Sequence, residues 1–110
     1  MKKYLVLYRS PKGTVEQMAN ATPEQTKAGM QGWTAWAQRA GFGVVDLGNP
    51  VGHPHYFSGT PSPSAGHIGG FSILQAEDEG ALRILLIGHP HLQIPGGSIE
   101  AHEFLPLPGI

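Results

Sequence analysis

The segment that most constrains the fold is residues 3–9, KYLVLYR, in which apolar or aromatic side chains occupy both sets of alternating positions. Tyr4, Val6 and Tyr8 share one parity, and leucines occupy two positions of the other. Successive side chains of a strand point to opposite faces of its sheet, so this pattern predicts a strand that is covered on both faces. The chain must therefore adopt a fold in which both sides of one strand are buried.

Composition favours a single domain over residues 1–110 and excludes several partners. The chain is 40% hydrophobic and 14% charged, well below the roughly 25% of charged residues that is usual. The net charge is −1 and the few basic residues are scattered, which excludes nucleic acid and anionic membranes as partners. Without cysteine there are no disulfides and no thiolate catalysis. Arg9 interrupts the first apolar run before it reaches the length of a signal peptide, so a cytoplasmic location is predicted.

A helix start is the clearest local signal. In Thr22-Pro23-Glu24-Gln25, threonine suits the N-cap, proline suits the first helical position and glutamine completes a capping box. Apolar side chains follow at spacings of three and four, and Gly41 supplies the stop. A long helix is therefore predicted between Pro23 and Gly41.

The other elements follow from the positions of apolar residues and from turn signals. Further strands are predicted at 42–47, 67–76 and 98–104, and a second helix follows the acidic residues 77–79 and ends at Gly88. A short helical turn is predicted over 15–19, and a long loop rich in Pro, Gly, Ser and His over 50–66.

The resulting order is β-α-β-β-α-β. Two right-handed crossovers around a four-stranded antiparallel sheet give an α+β fold of the ferredoxin-like kind, with both helices on one face. The other face of the sheet then needs a partner, because the first strand is apolar on both parities. We expect a homodimer in which two open sheet faces pack together into an α+β barrel.

Four segments carry a family likeness: KYLVLYR, GWTAWAQRAGFGVVDLGNPV, GGFSILQAED and HPHLQIPGGSIEAHEFLP. Together they resemble the YCII-related superfamily, particularly its DGPF-like branch, over nearly the whole chain. The resemblance implies a dimeric α+β barrel. A few relatives are linked to dehydrochlorination, with a histidine and an aspartate as the proposed pair. This sequence has Gly29 or Met30 where such relatives carry a helix-borne histidine, and His89-Pro90-His91 where they carry a DPY-like turn.

Histidine is abundant, with six residues, and the predicted topology gathers five of them at one end of the sheet. The acid–base candidates there are His89, His91 and His67. Asp46 is the candidate to hold one of these histidines in a single tautomer by a hydrogen bond. Arg9 is the candidate to bind a carboxylate or an enolate. The alternatives are a helix stop at Gly88-His89-Pro90 and an ordinary turn after Asp46.

The His-Pro-His tripeptide occurs twice, at 53–55 and 89–91. An extended proline would point both imidazoles to the same side, where a pair can ligate one metal ion. Because no standard ligand spacing is present, no metal or other cofactor is predicted. If one binds, the expected ligands are His53, His55, His89 and His91.

Trp33 and Trp36 lie three residues apart on the first long helix and share a broad face. Together with Tyr8 and Arg9 they are the candidate ligand-binding residues of a pocket between that helix and the sheet. The alternative is that both tryptophans belong to the core.

These features predict a small-molecule-binding protein with histidine acid–base chemistry of lyase, isomerase or hydrolase type. A non-catalytic ligand-binding or regulatory module on the same fold is the first alternative. A cofactor-free monooxygenase-like member of the dimeric barrel group is the second.

Overall fold

The computed structural model describes residues 1–59 and 66–109, so residues 60–65 of the predicted loop lie outside the described residues. The strands and helices, in chain order, are β1 (Lys2–Ser10), α1 (Thr14–Asn20), α2 (Pro23–Ala40), β2 (Val44–Asp46), β3 (His67–Ala76), α3 (Glu79–Leu85) and β4 (Ser98–Glu103). Short 3₁₀ helices occupy Gly41–Gly43 and Pro90–Gln93.

The strands form one antiparallel sheet in the order β2-β3-β1-β4. This confirms an α+β fold with a four-stranded open sheet, and the order is compatible with a ferredoxin-like arrangement. β3 has the predicted bounds, while β2 is shorter than predicted. It begins late because Gly41–Gly43 is helical, and it ends early because the Gly48 N–H donates to Oδ1 of Asp46 at 2.8 Å, which turns the chain.

Both principal helices begin with side-chain caps. The backbone N–H of Gln25 donates to Thr22 Oγ1 at 3.1 Å, and the N–H of Thr22 donates to Gln25 Oε1 at 2.9 Å, so the capping box is confirmed. α2 ends where Gly41 adopts a φ of +53°. α3 begins where the Ala81 N–H donates to Asp78 Oδ1 at 2.8 Å.

The core lies on the face of the sheet that both helices cover. Val6 of β1 and Leu74 of β3 are fully buried there, in one cluster with Trp36 of α2 and Leu82 of α3. The alternate side chains of β1 and β3 are half-buried on the opposite face. No helix formed by the described ranges is both long and apolar enough to cross a bilayer.

Candidate functional site

The second His-Pro-His segment forms the start of a 3₁₀ helix. Gly88 turns the chain with a φ of +73°, and His89 caps Pro90–Gln93. The backbone N–H of His91 donates to His89 Nδ1 at 3.0 Å. The predicted extended tripeptide is therefore wrong, because the fixed φ of proline suits the first turn of a helix as well as a strand.

His89 is fully buried inside a box of aromatic rings. It stacks on Tyr8, with ring centroids 5.0 Å apart and planes inclined by 25°. Trp33 stands perpendicular to it at 4.6 Å, and Trp36 lies at 4.4 Å. Because Nδ1 accepts a hydrogen bond, the neutral ring carries its proton on Nε2, an atom with no hydrogen-bond partner among the described residues.

The electrostatics of this box keep His89 neutral. Burial lowers the pKa of His89 to about 4, with a smaller contribution from the neighbouring His91. At neutral pH the ring therefore carries no charge. The ring is fully buried and accepts its one hydrogen bond from within the chain, so neither of its nitrogens reaches the protein surface.

The neighbours of His89 are held by hydrogen bonds. His91 Nε2 lies 2.7 Å from the carbonyl oxygen of Arg9, so it donates its proton there. The Tyr8 hydroxyl donates to Ser72 Oγ at 2.8 Å, and Ser72 donates to the Leu47 carbonyl at 2.6 Å. Burial raises the pKa of Tyr8, and the hydrogen bond with Ser72 partly opposes this.

Two other candidates are not brought to this box. In the sheet, Asp46 pairs with Ile73, and Ile73 pairs with Leu5. His91 is hydrogen-bonded to Arg9, four residues further along β1, so Asp46 lies about 13 Å away along the strand direction. The Arg9 side chain points to the other face of the sheet, where its Nε contacts Glu100 Oε1 at 3.1 Å. The predicted gathering at one end of the sheet therefore holds only in part.

The remaining histidines are spread over the surface. His67 pairs with Ser10 at the expected end of the sheet but is exposed. His53 and His55 are exposed in the segment that follows β2. Among residues 1–59 and 66–109, no three His, Cys, Asp or Glu side chains are placed to hold a metal ion together.

The space between α2 and the sheet is filled by side chains. Trp36 is buried, and its Nε1–H donates to the Leu85 carbonyl at 3.0 Å. Trp33 packs against the same cluster and lies edge-on to Tyr8 at 5.0 Å. Both tryptophans and Tyr8 therefore form part of the core.

A cavity of about 500 Å³ lies instead beside α3, over β1 and β4. Its lining residues are Lys2, Tyr4, Glu79, Leu82, Arg83, Leu86, Ile99, Ala101 and Glu103. Two ion pairs stand at its rim, Lys2 with Glu103 at 3.0 Å and Arg83 with Glu79 at 2.8 Å. A second cavity of about 290 Å³, shallow and mostly open to solvent, adjoins it and is lined by Arg83, Leu86, Ile87, Leu92 and Ile99.

This cavity was not predicted from the sequence, because it depends on where α3 ends. α3 has only seven residues, so it spans about 10 Å and is too short to cover the two strands beneath it. The predicted helix ran to Gly88; this end is wrong, because α3 ends at Leu85.

No protein-family model matches the chain, and a search of curated proteins finds no match either.

Proposed function

We propose that this chain is a small-molecule-binding protein whose ligand lies in the cavity between α3 and strands β1 and β4. The observation that carries the proposal is the cavity itself, with a volume of about 500 Å³, within the range of about 300–1,000 Å³ for ligand pockets. Its lining combines apolar or aromatic side chains, among them Tyr4, Leu82 and Ile99, with four charged ones, Lys2, Glu79, Arg83 and Glu103.

The lining defines the class of ligand. Leu82, Leu86 and Ile99 offer an apolar surface to an aromatic or aliphatic body. At the rim, Arg83 and Lys2 are each paired with a carboxylate. Both pairs are exposed, so they are weak and an anionic group on the ligand can replace the protein's carboxylate. The expected ligand is a small apolar anion.

Binding is favoured over catalysis. Acid–base chemistry of lyase, isomerase or hydrolase type by His89 and His91 would need an accessible ring, whereas both side chains are buried. Neither histidine lines the cavity beside α3. The non-catalytic alternative therefore has the better support.

Membership of the YCII-related superfamily, a cytoplasmic location and a homodimer through the open sheet face are parts of the same proposal. The dimer is supported by the side chains of Leu5, Leu7, Phe71 and Ile73, which form an apolar area on the face opposite the helices.

The test is titration with 1-anilinonaphthalene-8-sulfonate, a fluorescent probe that joins an apolar ring system to an anionic group. We expect saturable binding of one probe per chain. Arg83→Glu should weaken it at least fivefold, because it replaces a rim cation with a carboxylate.

The matched control is Lys27→Glu, the same charge change on an exposed position of α2, which should bind the probe like the wild type. Absence of saturable binding, or equal weakening by both variants, would contradict the proposed function.

A further inference from the structure

β4 lies at the edge of the sheet, so one side of its backbone has no strand partner within the described residues. An exposed edge of this kind can pair with a strand of another chain. Two side chains on the open face of this strand are already ordered: His102 Nε2 lies 2.6 Å from Glu100 Oε2, and Arg9 Nε lies 3.1 Å from Glu100 Oε1. These two hydrogen bonds lower the pKa of Glu100 and keep it ionised.

The flank of the same edge is apolar and exposed. We call the exposed side chains Ile87 and Leu92 the α3–β4 patch; they are 67% and 51% exposed. The cavity of about 290 Å³ lies within this area, between Ile87, Leu92 and Ile99. Large apolar side chains gathered beside an unpaired edge are typical of a protein interface.

The chain also carries an apolar segment that extends β4. The Phe104 N–H donates to the Lys3 carbonyl at 2.8 Å, so the strand pairing continues to Phe104. Leu105 and Leu107 follow with exposed fractions of 77% and 65%. Pro106 and Pro108 alternate with them and hold this tail extended.

We propose that a second copy of this chain pairs antiparallel with β4 about a two-fold axis at Ala101, and that each tail lies on the α3–β4 patch of the partner. The occupant is a second copy because the edge is complementary to itself in this register. Residues whose numbers sum to 202 face each other, which places Glu100 opposite the partner's His102 and the reverse.

Neighbouring registers lack this complementarity. Directly opposite residues of an antiparallel pair point to the same face, so the axis must pass through a residue if the helical face is to continue across both copies. An axis at Glu100 would set two carboxylates against each other, and an axis at His102 would set two imidazoles against each other. Ala101 also has the smallest side chain of β4, which suits close approach.

The same register explains the tail. Leu105 comes opposite the partner's Gly97, and Leu107 opposite the partner's Pro95, next to Leu92 of the α3–β4 patch. Proline cannot donate to a further ladder, so Pro106 ends the pairing and leaves the two leucines to pack. This edge borders the open sheet face, because Glu100 and His102 lie opposite Leu7 and Leu5 of β1. Substitutions in β4 and its tail therefore test the edge contact, whereas substitutions at Phe71 and Ile73 of β3, two strands away, test the open face.

The test uses the absence of cysteine from the chain. In Ala101→Cys the two thiols would lie across the axis, within the Cα separation of about 4.4–6.8 Å that a disulfide needs. Mild oxidation at micromolar concentration should give a covalent dimer. Ser98→Cys is the matched control on the same strand, because its two copies would be roughly 20 Å apart, and Thr34→Cys on α2 measures random collision.

The register is tested by charge. Adding His102→Glu to the Ala101→Cys chain should slow cross-linking about tenfold, because carboxylates then face each other. Adding Glu100→His as well should restore it, since the charges are exchanged. Cross-linking of Ala101→Cys no faster than that of Thr34→Cys, faster cross-linking of Ser98→Cys than of Ala101→Cys, or no effect of His102→Glu would each overturn the proposal.

Discussion

The half of the molecule under α2 and the half under α3 differ in how completely the helix covers the sheet. We call them the closed half and the open half. α2 has 18 residues and places Trp33 and Trp36 over the sheet, where they close the box around His89. α3 has seven residues and leaves a cavity over β4 with apolar side chains around it. The comparison shows that the two buried histidines, His89 and His91, belong to the closed half, whereas the cavity proposed to bind a ligand lies in the open half.

The largest expected effect concerns the closed half. Trp36→Ala removes a fully buried indole and its hydrogen bond to Leu85, and should lower the free energy of unfolding by about 3–5 kcal/mol. Ile84→Ala, at an exposed position of α3, should change it by less than about 0.5 kcal/mol. Urea denaturation of both variants measures the contrast, and similar losses would remove the distinction between the halves.

A second expected effect is acid lability of the closed half. His89 has a lower pKa in the folded chain, about 4, than its ordinary value of 6.5. As the pH falls from 6.5 to 4, His89 is protonated in the unfolded chain but stays largely neutral in the folded chain. The free energy of unfolding therefore decreases, by roughly 2–3 kcal/mol at pH 4.

Measurement of the free energy of unfolding from pH 7 to pH 4 checks this effect. His89→Leu should flatten the dependence relative to the wild type, whereas His53→Leu, at an exposed position, should leave it unchanged. An equally steep loss in His89→Leu would show that another group is responsible.

The smallest expected effect concerns the rim of the open half. Arg83 and Glu79 form an i,i+4 pair at 2.8 Å, with side chains 77% and 75% exposed. Glu79→Gln should therefore cost less than about 0.5 kcal/mol. Thermal unfolding that shows a loss above 1 kcal/mol would mean that the rim is part of the fold rather than of a binding surface.

The fold could be predicted where short-range chemistry decides the structure. The capping box of Thr22 and Gln25 depends on four consecutive residues, and the strand at 67–76 depends on the apolar residues within ten, so both predictions were confirmed. Parity also separated the two faces of β1, but only the structure shows that Tyr4, Val6 and Tyr8 lie on the core side.

The candidate site could be predicted only in part, because its geometry depends on long-range packing. Nothing local distinguishes a proline that continues a strand from one that opens a 3₁₀ helix, so the geometry of 89–91 was predicted wrongly. The position of Asp46 along the sheet depends on the register of β2 against β3, and no short stretch of sequence determines that register. The cavity depends on where α3 ends, and helix ends are the least predictable part of an element.

Chemical-shift mapping of bound 1-anilinonaphthalene-8-sulfonate by two-dimensional NMR tests the central claim most directly, because it reports which half of the molecule binds. We expect chemical-shift changes concentrated at Tyr4, Leu82, Ile99 and their neighbours, and no change in the resonances of His89 and His91. Changes concentrated at the two buried histidines, with α3 and β4 unaffected, would contradict the central claim.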